Sequence, residues 1–211
     1  MNYEHIWDVI YRLSGRVRVS KSLINRNEEI LLHISDTPYS IFSALDSLIM
    51  TLKPEYIVHT GDLVDNIKLE LYPKSLPRYK LYLKNLMKIM QKPFVKGIYI
   101  SLGNHDDIEA ISEYKKIDNR ITVGIEPNSI KLGNKTIQYA HYLEALKDTP
   151  NSYGLYGHDL SVKDEISENS IYLNGIKTIN IIMLKSGTIF KLQYPIGTDR
   201  SEERRVGKEC E

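Results

Sequence analysis

The sequence has few thiols and few aromatic residues other than tyrosine, with one cysteine, one tryptophan and three phenylalanines among 211 residues. A single cysteine, Cys210, excludes a disulfide framework and a cysteine-based metal cluster within the chain. No apolar run approaches the length of a membrane span. The apolar N-terminal stretch contains Glu4 and Asp8, which is untypical of a signal peptide. We therefore expect a cytoplasmic protein with no membrane partner.

An excess of charge of one sign is also lacking. The 28 Lys and Arg residues nearly balance the 27 Asp and Glu residues, so that the formal net charge is +1. The charge of the whole chain therefore gives no indication of binding to nucleic acid or to an anionic membrane. Hydrophobic residues make up 42% and charged residues 26%, which is typical of a globular protein.

Three segments can be distinguished along the chain. Residues 1–28 predict an N-terminal helical extension, because apolar residues from Ile6 to Leu13 recur at helical spacing. Residues 29–199 carry the regular patterns described next and are predicted to form one domain. The last segment differs, since Arg200 to Cys210 reads RSEERRVGKEC and matches the in-frame translation of a sequencing-library adapter. We expect residues 200–211 not to be native, which removes Cys210 from the chemistry of the protein.

Two hydrophobic patterns divide the principal domain. Up to residue 116, short apolar runs alternate with segments of helical spacing, as in parallel strands joined by helices. We predict strands at 30–35, 56–59 and 97–102, and helices at 41–52, 77–91 and 108–116. After residue 128, six short strand candidates follow, and Asn174-Gly175 and Lys185-Ser186-Gly187 predict hairpins. The predicted fold class is α/β, a two-sheet β-sandwich of mixed strands flanked by helices.

Five predicted strand ends carry polar side chains that can bind a metal ion. They are Asp36, Gly61-Asp62-Leu63-Val64-Asp65, Gly103-Asn104-His105-Asp106, His141 and Gly157-His158. Ligands of α/β sheets bind beyond the carboxyl ends of the strands, so we expect these side chains to converge. Carboxylate, amide and imidazole groups together suit hard or borderline divalent cations. His33 and His59 lie inside strands, three residues before a carboxylate, and are interpreted as core or supporting residues.

This ordered set of motifs resembles the calcineurin-like metallophosphoesterase superfamily over residues 29–195, with its GDxxD and GNHD signatures matched in full. The resemblance implies a metallophosphoesterase-like fold for residues 29–199 and hydrolysis of a phosphate monoester or diester through a metal-activated water. It implies that Asp62 bridges two cations and that Asn104, His141 and His158 complete the ligands of the second cation. It also implies that His105 acts near the scissile phosphate as a proton donor or charge stabiliser, held by Asp65.

The departures from the family pattern fall on the first cation. The signature Asp-x-His reads Asp36-Thr37-Pro38, and Gly-His-x-His reads Gly157-His158-Asp159-Leu160. Both missing histidines would have bound the first cation, which leaves it the oxygens of Asp36 and Asp62. Such a site suits Mn²⁺ or Mg²⁺, with one or two ions per chain. Asp159 is a candidate for a further ligand, with a turn residue facing water as the alternative.

Three functions follow from these observations. The first is hydrolysis of a small phosphate ester or a nucleotide. The alternative is a non-catalytic binding platform on the same fold with a degenerate metal site, and the presence of His105 together with Asp65 argues against it. A nuclease is less favoured, because the near-neutral charge gives no sign of a basic groove. The lysine-containing segment 65–80, with Lys68, is interpreted as a solvated loop, with a lip that contacts phosphate as the alternative.

Overall fold

The structure is a computed structural model that describes residues 3–124, 126–146, 152–166 and 170–198. The predicted adapter translation, residues 200–211, lies outside the described residues. The α-helices are α1 (Tyr3–Leu13), α2 (Lys21–Ile24), α3 (Phe42–Leu52), α4 (Leu76–Met90) and α5 (Ile108–Ile117). The strands are β1 (Ile30–Ile34), β2 (Tyr56–His59), β3 (Gly97–Ser101), β4 (Ile121–Gly124), β5 (Asn128–Leu132), β6 (Lys135–Tyr139), β7 (Ser152–Tyr156), β8 (Glu165–Ile166), β9 (Ser170–Asn174), β10 (Ile179–Met183) and β11 (Ile189–Leu192).

The first sheet has the strand order β11-β10-β1-β2-β3-β4. Strands β1 to β4 are parallel, with Leu31 opposite Tyr56 and Tyr56 opposite Gly97. The C-terminal hairpin β10–β11 joins this sheet antiparallel to β1. Because β1, β2 and β3 run in one direction, the loops that follow them leave from the same edge of the sheet. This edge carries Asp36, Asp62 and Asn104.

The second sheet has the order β5-β6-β7-β9-β8, with β6, β7 and β9 parallel and antiparallel strands at both edges. Its inner face packs on the first sheet, where Ile137 and Leu155 join Leu31 and Val58 in one buried cluster. Alternate residues of β1, such as Leu32, point to the opposite face of the first sheet. There they pack against α3, α4 and α5. This arrangement confirms the predicted α/β sandwich of two mixed sheets flanked by helices.

One of the two predicted hairpins is wrong. Strand β9 belongs to the second sheet and β10 to the first, so that Asn174-Gly175 links the two sheets instead of folding a hairpin. The glycine is required by close packing, since a Cβ at Gly175 would lie 2.6 Å from the Nε2 atom of His33. The side chain of Asn174 donates to the carbonyls of Asp159 and Val162 and thereby holds this crossing. The predicted hairpin at Lys185-Ser186-Gly187 is confirmed, as it joins β10 and β11.

The N-terminal segment contacts the principal domain at several points. The side chain of Leu23 in α2 is fully buried in the hydrophobic core between the first sheet and the helices. At the end of α1, the guanidinium of Arg12 donates to the carbonyl of Tyr194 at 3.1 Å, and the backbone N–H of Ile196 donates to the carbonyl of Arg12 at 3.1 Å. Within the described parts of the chain, no helix combines the length and the apolar character needed to cross a membrane.

Candidate metal centre

Five predicted metal ligands converge because each follows a strand end at the same side of the sandwich. Asp36 follows β1, Asp62 follows β2 and Asn104 follows β3, while His141 and His158 follow β6 and β7 of the other sheet. Backbone hydrogen bonds join the first two loops, since the N–H of Asp36 donates to the carbonyl of Gly61 and the N–H of Thr37 to that of Asp62, both at 3.0 Å. The sandwich therefore brings residues separated by more than 100 positions into one site.

Three of these residues have a left-handed backbone conformation. The φ angles are +49° at Asp36, +53° at Asp62 and +64° at His158. Side chains other than glycine adopt this conformation rarely, because Cβ crowds the backbone, and it is often found at functional sites. Gly61, at φ +96°, turns the chain immediately before Asp62, and a Cβ there would lie 2.5 Å from the Nδ1 atom of His141. The turns thus direct the carboxylates and the imidazole towards each other.

The carboxylate of Asp106 fixes the GDxxD turn against the GNHD turn. Its Oδ2 accepts hydrogen bonds from the N–H groups of Asp62 at 2.8 Å and Gly103 at 2.9 Å. Its Oδ1 accepts from the N–H of Leu63 at 2.9 Å and from the hydroxyl of Tyr79 at 2.8 Å. The sequence reasoning assigned no role to Asp106, although its position as the last residue of GNHD was a signal. It supports the site through these four hydrogen bonds.

The ring of His141 is oriented by a hydrogen bond at its Nδ1. Its Nδ1 lies 2.7 Å from the carbonyl oxygen of Thr60, which can only accept, so the Nδ1 carries the proton. The Nε2 is the nitrogen that faces the other predicted ligands. It lies 3.3 Å from Oδ1 of Asn104, 3.2 Å from Nδ1 of His158 and 3.7 Å from Oδ2 of Asp62. This is the arrangement by which a backbone carbonyl orients a metal-binding histidine.

Glu70 and Glu126, which the sequence reasoning missed, hold two of these groups. The amide nitrogen of Asn104 donates to Oε2 of Glu70 at 2.7 Å, which turns the Oδ1 of Asn104 towards His141. The backbone N–H of His141 donates to Oε1 of Glu126, which also accepts from the hydroxyl of Ser101. Both glutamates come from loops, where no sequence motif marked them.

The side chain of Asp62 has an unsatisfied oxygen at the centre of the group. Its Oδ1 accepts from the N–H of His105 at 3.0 Å, but its buried Oδ2 has no hydrogen-bond partner among the described residues. Burial raises the pKa of Asp62 well above its usual range, and the charges of Asp106, Asp36 and Asp65 add to this effect. A buried carboxylate oxygen without a partner is costly, and a cation would satisfy it. The residues present therefore fit a divalent cation.

Two groups of donor atoms share Asp62. Asp62, His141 and His158 form one group, and Asp36, Asp62 and Asp65 form the other, with the donor atoms of each group within 4.8 Å of one another. Burial raises the pKa of Asp36, whose Oδ2 accepts from the hydroxyl of Ser35 and from the N–H of His158. The second group contains no nitrogen ligand. One group thus combines carboxylate and imidazole donors, and the other consists of carboxylates alone.

Asp159, the further candidate ligand, lies apart from both groups. Its side chain is exposed, and its Oδ1 accepts from the N–H of Ser161 at 2.6 Å within a local turn. Hydrogen bonds from Ser161 lower the pKa of Asp159. The structure therefore gives Asp159 the place of a turn residue facing water, the alternative that its position also allowed. The carboxylate that joins Asp36 and Asp62 is that of Asp65.

His105 and Asp65 lie beside the cation groups together with Lys68. The ring of His105 is buried, with its Nε2 3.2 Å from the amide nitrogen of Asn104. Burial and the charge of Lys68 lower the pKa of His105 to about 4, while Asp65 and Glu70 act in the opposite direction. The ammonium of Lys68 lies 2.6 Å from Oδ1 of Asp65, and both side chains are nearly buried. Lys68 is therefore not the solvated loop residue that the sequence suggested.

The two strand histidines lie beneath the centre, as interpreted from the sequence. His33 is fully buried, with its Nε2 3.1 Å from the hydroxyl of Thr60 and its Nδ1 3.2 Å from the amide of Asn180. The Nε2 of His59 lies 3.0 Å from the hydroxyl of Thr37. Both rings therefore hold the loops that follow β1 and β2.

Comparisons with known proteins agree with this geometry. The family model for calcineurin-like phosphoesterases matches residues 31–192. No curated protein matches the chain at a significant level. Among solved structures, Yfce, described as a phosphoesterase from E. coli, is 14% identical with a TM-score of 0.50, and the match covers 79% of this chain and 99% of that one. A second structure is 14% identical with a TM-score of 0.54, covering 80% of this chain and 100% of the other.

At this identity the two structures show similarity of fold alone. The family model carries more weight, because it covers most of the chain and includes both the GDxxD and the GNHD motifs. It also spans all five strand ends at which the donor groups were found. The chain therefore belongs to the calcineurin-like phosphoesterase family.

Proposed function

We propose that this chain is a metal-dependent phosphoesterase that hydrolyses a phosphate monoester or diester, using Mn²⁺ or Mg²⁺. The observation that carries the proposal is the unsatisfied, buried Oδ2 of Asp62, which lies where two groups of donor atoms meet. A chain that served only as a binding platform would have no need for this oxygen or for an imidazole oriented by a backbone carbonyl. The proposal also rests on membership of the phosphoesterase family.

The residues divide between holding cations and acting on the ester. Asp62, Asn104, His141 and His158 would hold one cation, and Asp36 with Asp62 would hold the other, so that one or two ions bind per chain. When bound, such cations polarise phosphoryl oxygens and lower the pKa of a water molecule. The protein contributes fixed oxygens and nitrogens, whose positions are set by Gly61 and Asp106 before any ligand arrives.

His105 is the residue proposed to act on the substrate. Its backbone N–H is tied to Asp62 at 3.0 Å, which places the ring beside the bridging carboxylate. From there it would donate a hydrogen bond or a proton to the ester as negative charge develops. The lowered pKa of about 4 leaves the ring mostly neutral near pH 7, with an N–H that can donate, although the charges of Asp65 and Glu70 partly oppose the lowering. Asp65 is proposed to keep the ring in place. The substrate class is a small phosphate ester or a nucleotide, with nucleic acid less favoured at a net charge of +1.

The test is an assay with nitrophenyl phosphate monoester and diester substrates. The metal-stripped protein is supplied in turn with Mn²⁺, Mg²⁺, Ni²⁺ and Zn²⁺. We expect turnover that depends on the divalent cation and is strongest with Mn²⁺. His105→Ala should lower the turnover number by about 100-fold or more, the usual contribution of a proton-transfer residue. Asp159→Ala, an exposed side chain outside the site, is the control and should behave as the unchanged protein.

Two outcomes would contradict the proposal. One is the absence of turnover with every cation, together with the absence of metal bound at His141 and His158, which would favour the binding platform. The other is full turnover in His105→Ala, which would remove His105 from the reaction. Circular dichroism and metal content of each variant establish that a loss of turnover does not come from unfolding.

A further inference from the structure

We propose that Asp65 replaces the missing histidines as a ligand of the first cation, and that the ammonium of Lys68 competes with that cation for the carboxylate of Asp65. This inference rests on the proposed function and deepens it, because it assigns the make-up and the loading of one cation site. The family pattern supplies that site with two imidazoles, which this chain lacks at Pro38 and Leu160.

The geometry places Asp65 where a ligand is missing. Oxygen atoms of Asp36, Asp62 and Asp65 lie within 4.8 Å of one another. The backbone N–H of Asp65 donates to the carbonyl of Thr37 at 3.2 Å, which fixes Asp65 beside the loop that carries Asp36. The Oδ2 of Asp62 is buried and has no hydrogen-bond partner among the residues that the structure describes. One bound cation would satisfy this oxygen and bring the three carboxylates into its coordination.

Charge gives a second reason to expect a cation there. Asp36 and Asp62 have exposures of 1% and 0%, so water cannot screen their repulsion with Asp65. Lys68 is the positive group beside them, with its Nζ 2.6 Å from Oδ1 of Asp65. The exposed fractions of the Lys68 and Asp65 side chains are 12% and 13%, so this ion pair is formed largely out of water. The positive charge of the ammonium at Oδ1 disfavours a metal ion at either oxygen of the same carboxylate.

Lys68 is positioned to exchange with a metal ion instead of blocking the site permanently. It lies three residues after Asp65, directly after a turn closed by the hydrogen bond from the N–H of Ile67 to the carbonyl of Val64 at 2.9 Å. A lysine side chain has several rotatable bonds, and its ammonium is a strongly hydrated point charge. Movement of this side chain therefore frees Asp65 without any change in the strands.

The donor sets make the two cation sites differ in preference. Three carboxylates form a hard site suited to Mg²⁺ or Mn²⁺, whereas the imidazoles of His141 and His158 suit borderline ions such as Zn²⁺ or Ni²⁺. The first site also loses affinity to the competing ammonium. We therefore expect the imidazole site to fill first and the carboxylate site to fill only at higher concentrations of a hard cation.

The test measures binding of Mn²⁺ to metal-stripped protein by calorimetry and by electron paramagnetic resonance, without reference to turnover. Asp65→Asn should lose the weaker class of Mn²⁺ and keep the tighter one. Lys68→Met keeps the aliphatic stem and removes the charge, so it should bind the weaker Mn²⁺ about tenfold more tightly or better, the usual size of effects from residues around a metal site. Asp159→Asn removes an exposed carboxylate and should bind as the unchanged protein.

Each outcome bears on the inference. Retention of both classes of Mn²⁺ in Asp65→Asn would overturn the ligand role. Unchanged or weaker binding in Lys68→Met would overturn the competition, and this variant remains decisive if Asp65→Asn fails to fold. If the unchanged protein binds a single ion, Lys68→Met should bind two, and a single ion there too would also overturn the inference. Absence of any bound metal, also in the imidazole site, would instead contradict the proposed function.

Discussion

Replacing Asp106 by asparagine keeps the shape of the side chain and removes half of its capacity to accept hydrogen bonds. The carboxylate accepts from four donors, two at each oxygen, at distances of 2.8 to 2.9 Å. In Asp106→Asn, one of the two positions becomes an NH₂ group, which points a donor at two other donors. At the Oδ2 position the NH₂ group would leave the N–H groups of Asp62 and Gly103 without an acceptor. At the Oδ1 position the hydroxyl of Tyr79 can turn to accept from it, so that only the N–H of Leu63 loses its acceptor. The amide is therefore expected to adopt the second orientation.

The expected cost follows from the unpaired N–H of Leu63 and from the loss of charge at the remaining hydrogen bonds. A hydrogen bond to a charged group contributes about 1.5–3 kcal/mol, and a buried donor left without a partner costs about 1–3 kcal/mol. We therefore expect Asp106→Asn to lower the free energy of unfolding by about 2–4 kcal/mol. Tyr79→Phe is the matched control, because it removes one donor to the same carboxylate and leaves no group unsatisfied on its own side. It should cost about 1.5 kcal/mol.

The assay is urea unfolding of the metal-free proteins near neutral pH, followed by circular dichroism. Binding of Mn²⁺ to Asp106→Asn provides a second readout, since the turn that carries Asp62 depends on this carboxylate. We expect weaker binding in Asp106→Asn and nearly unchanged binding in Tyr79→Phe. A cost in Asp106→Asn no larger than that in Tyr79→Phe would refute the reasoning, because it would mean that the backbone donors do not depend on the charge.

Three further predictions concern stability. Burial lowers the pKa of His33 to about 3, so between about pH 6.5 and pH 3 only the unfolded chain takes up a proton at this residue. The free energy of unfolding should therefore decrease by about 1.4 kcal/mol for each unit by which the pH is lowered in this range. In urea unfolding, His33→Gln should show a smaller decrease. Hydrogen bonds from a neighbouring arginine lower the pKa of Asp118, so its contribution to the stability of the fold is present above about pH 4 and is lost as the pH falls further. Asp118→Asn should lower the free energy of unfolding by about 1–2 kcal/mol near neutral pH and by progressively less in acid. Gly61 and Gly15 both have a positive φ, but a Cβ at Gly61 would clash with His141, whereas a Cβ at Gly15 would meet open space. In thermal unfolding, Gly15→Ala should lower the stability by about 1 kcal/mol, and Gly61→Ala should lower it by clearly more.

Each of these predictions has a contradicting outcome. An equal dependence on pH in His33→Gln and the unchanged protein would show that another group takes up the proton. A stability difference for Asp118→Asn that stays constant into acid would exclude the ionised carboxylate as its cause. Equal costs for the two alanine variants would mean that the loop of Gly61 moves away from His141 without penalty.

The strands that could be predicted from the sequence are those bounded by strong local signals. Strand β2 begins and ends at the predicted residues, because the apolar run there ends at a Gly-Asp turn. Strand β4, at Ile121–Gly124, was not predicted, since four residues with two large apolar side chains give no clear periodicity. The two-residue strand β8 was missed for the same reason. Pairing of β10 with β1 is a contact between distant segments that no local pattern encodes.

The donor groups could be predicted because strand direction brings strand ends together, but their connections could not. The sequence marked Asp65 as a partner of His105, whereas its position in a group with Asp36 follows from the fold of the turn between them. Glu70 and Glu126 act through hydrogen bonds to Asn104 and His141 across 34 and 15 residues. Such contacts depend on the paths of loops, and loop sequences have neither the hydrophobic periodicity nor the motifs from which these paths could be predicted.

The left-handed backbone at Asp36, Asp62 and His158 affects which substitutions the fold can accept at these positions. A residue with a Cβ costs about 1–2 kcal/mol in this conformation, and glycine removes the strain. Glycine at these positions would relieve the backbone strain but would remove a donor atom of the proposed metal centre. A domain retained only for its shape would be free to take such substitutions. Ionisable side chains at all three positions are therefore the pattern expected of a chain that carries the proposed activity.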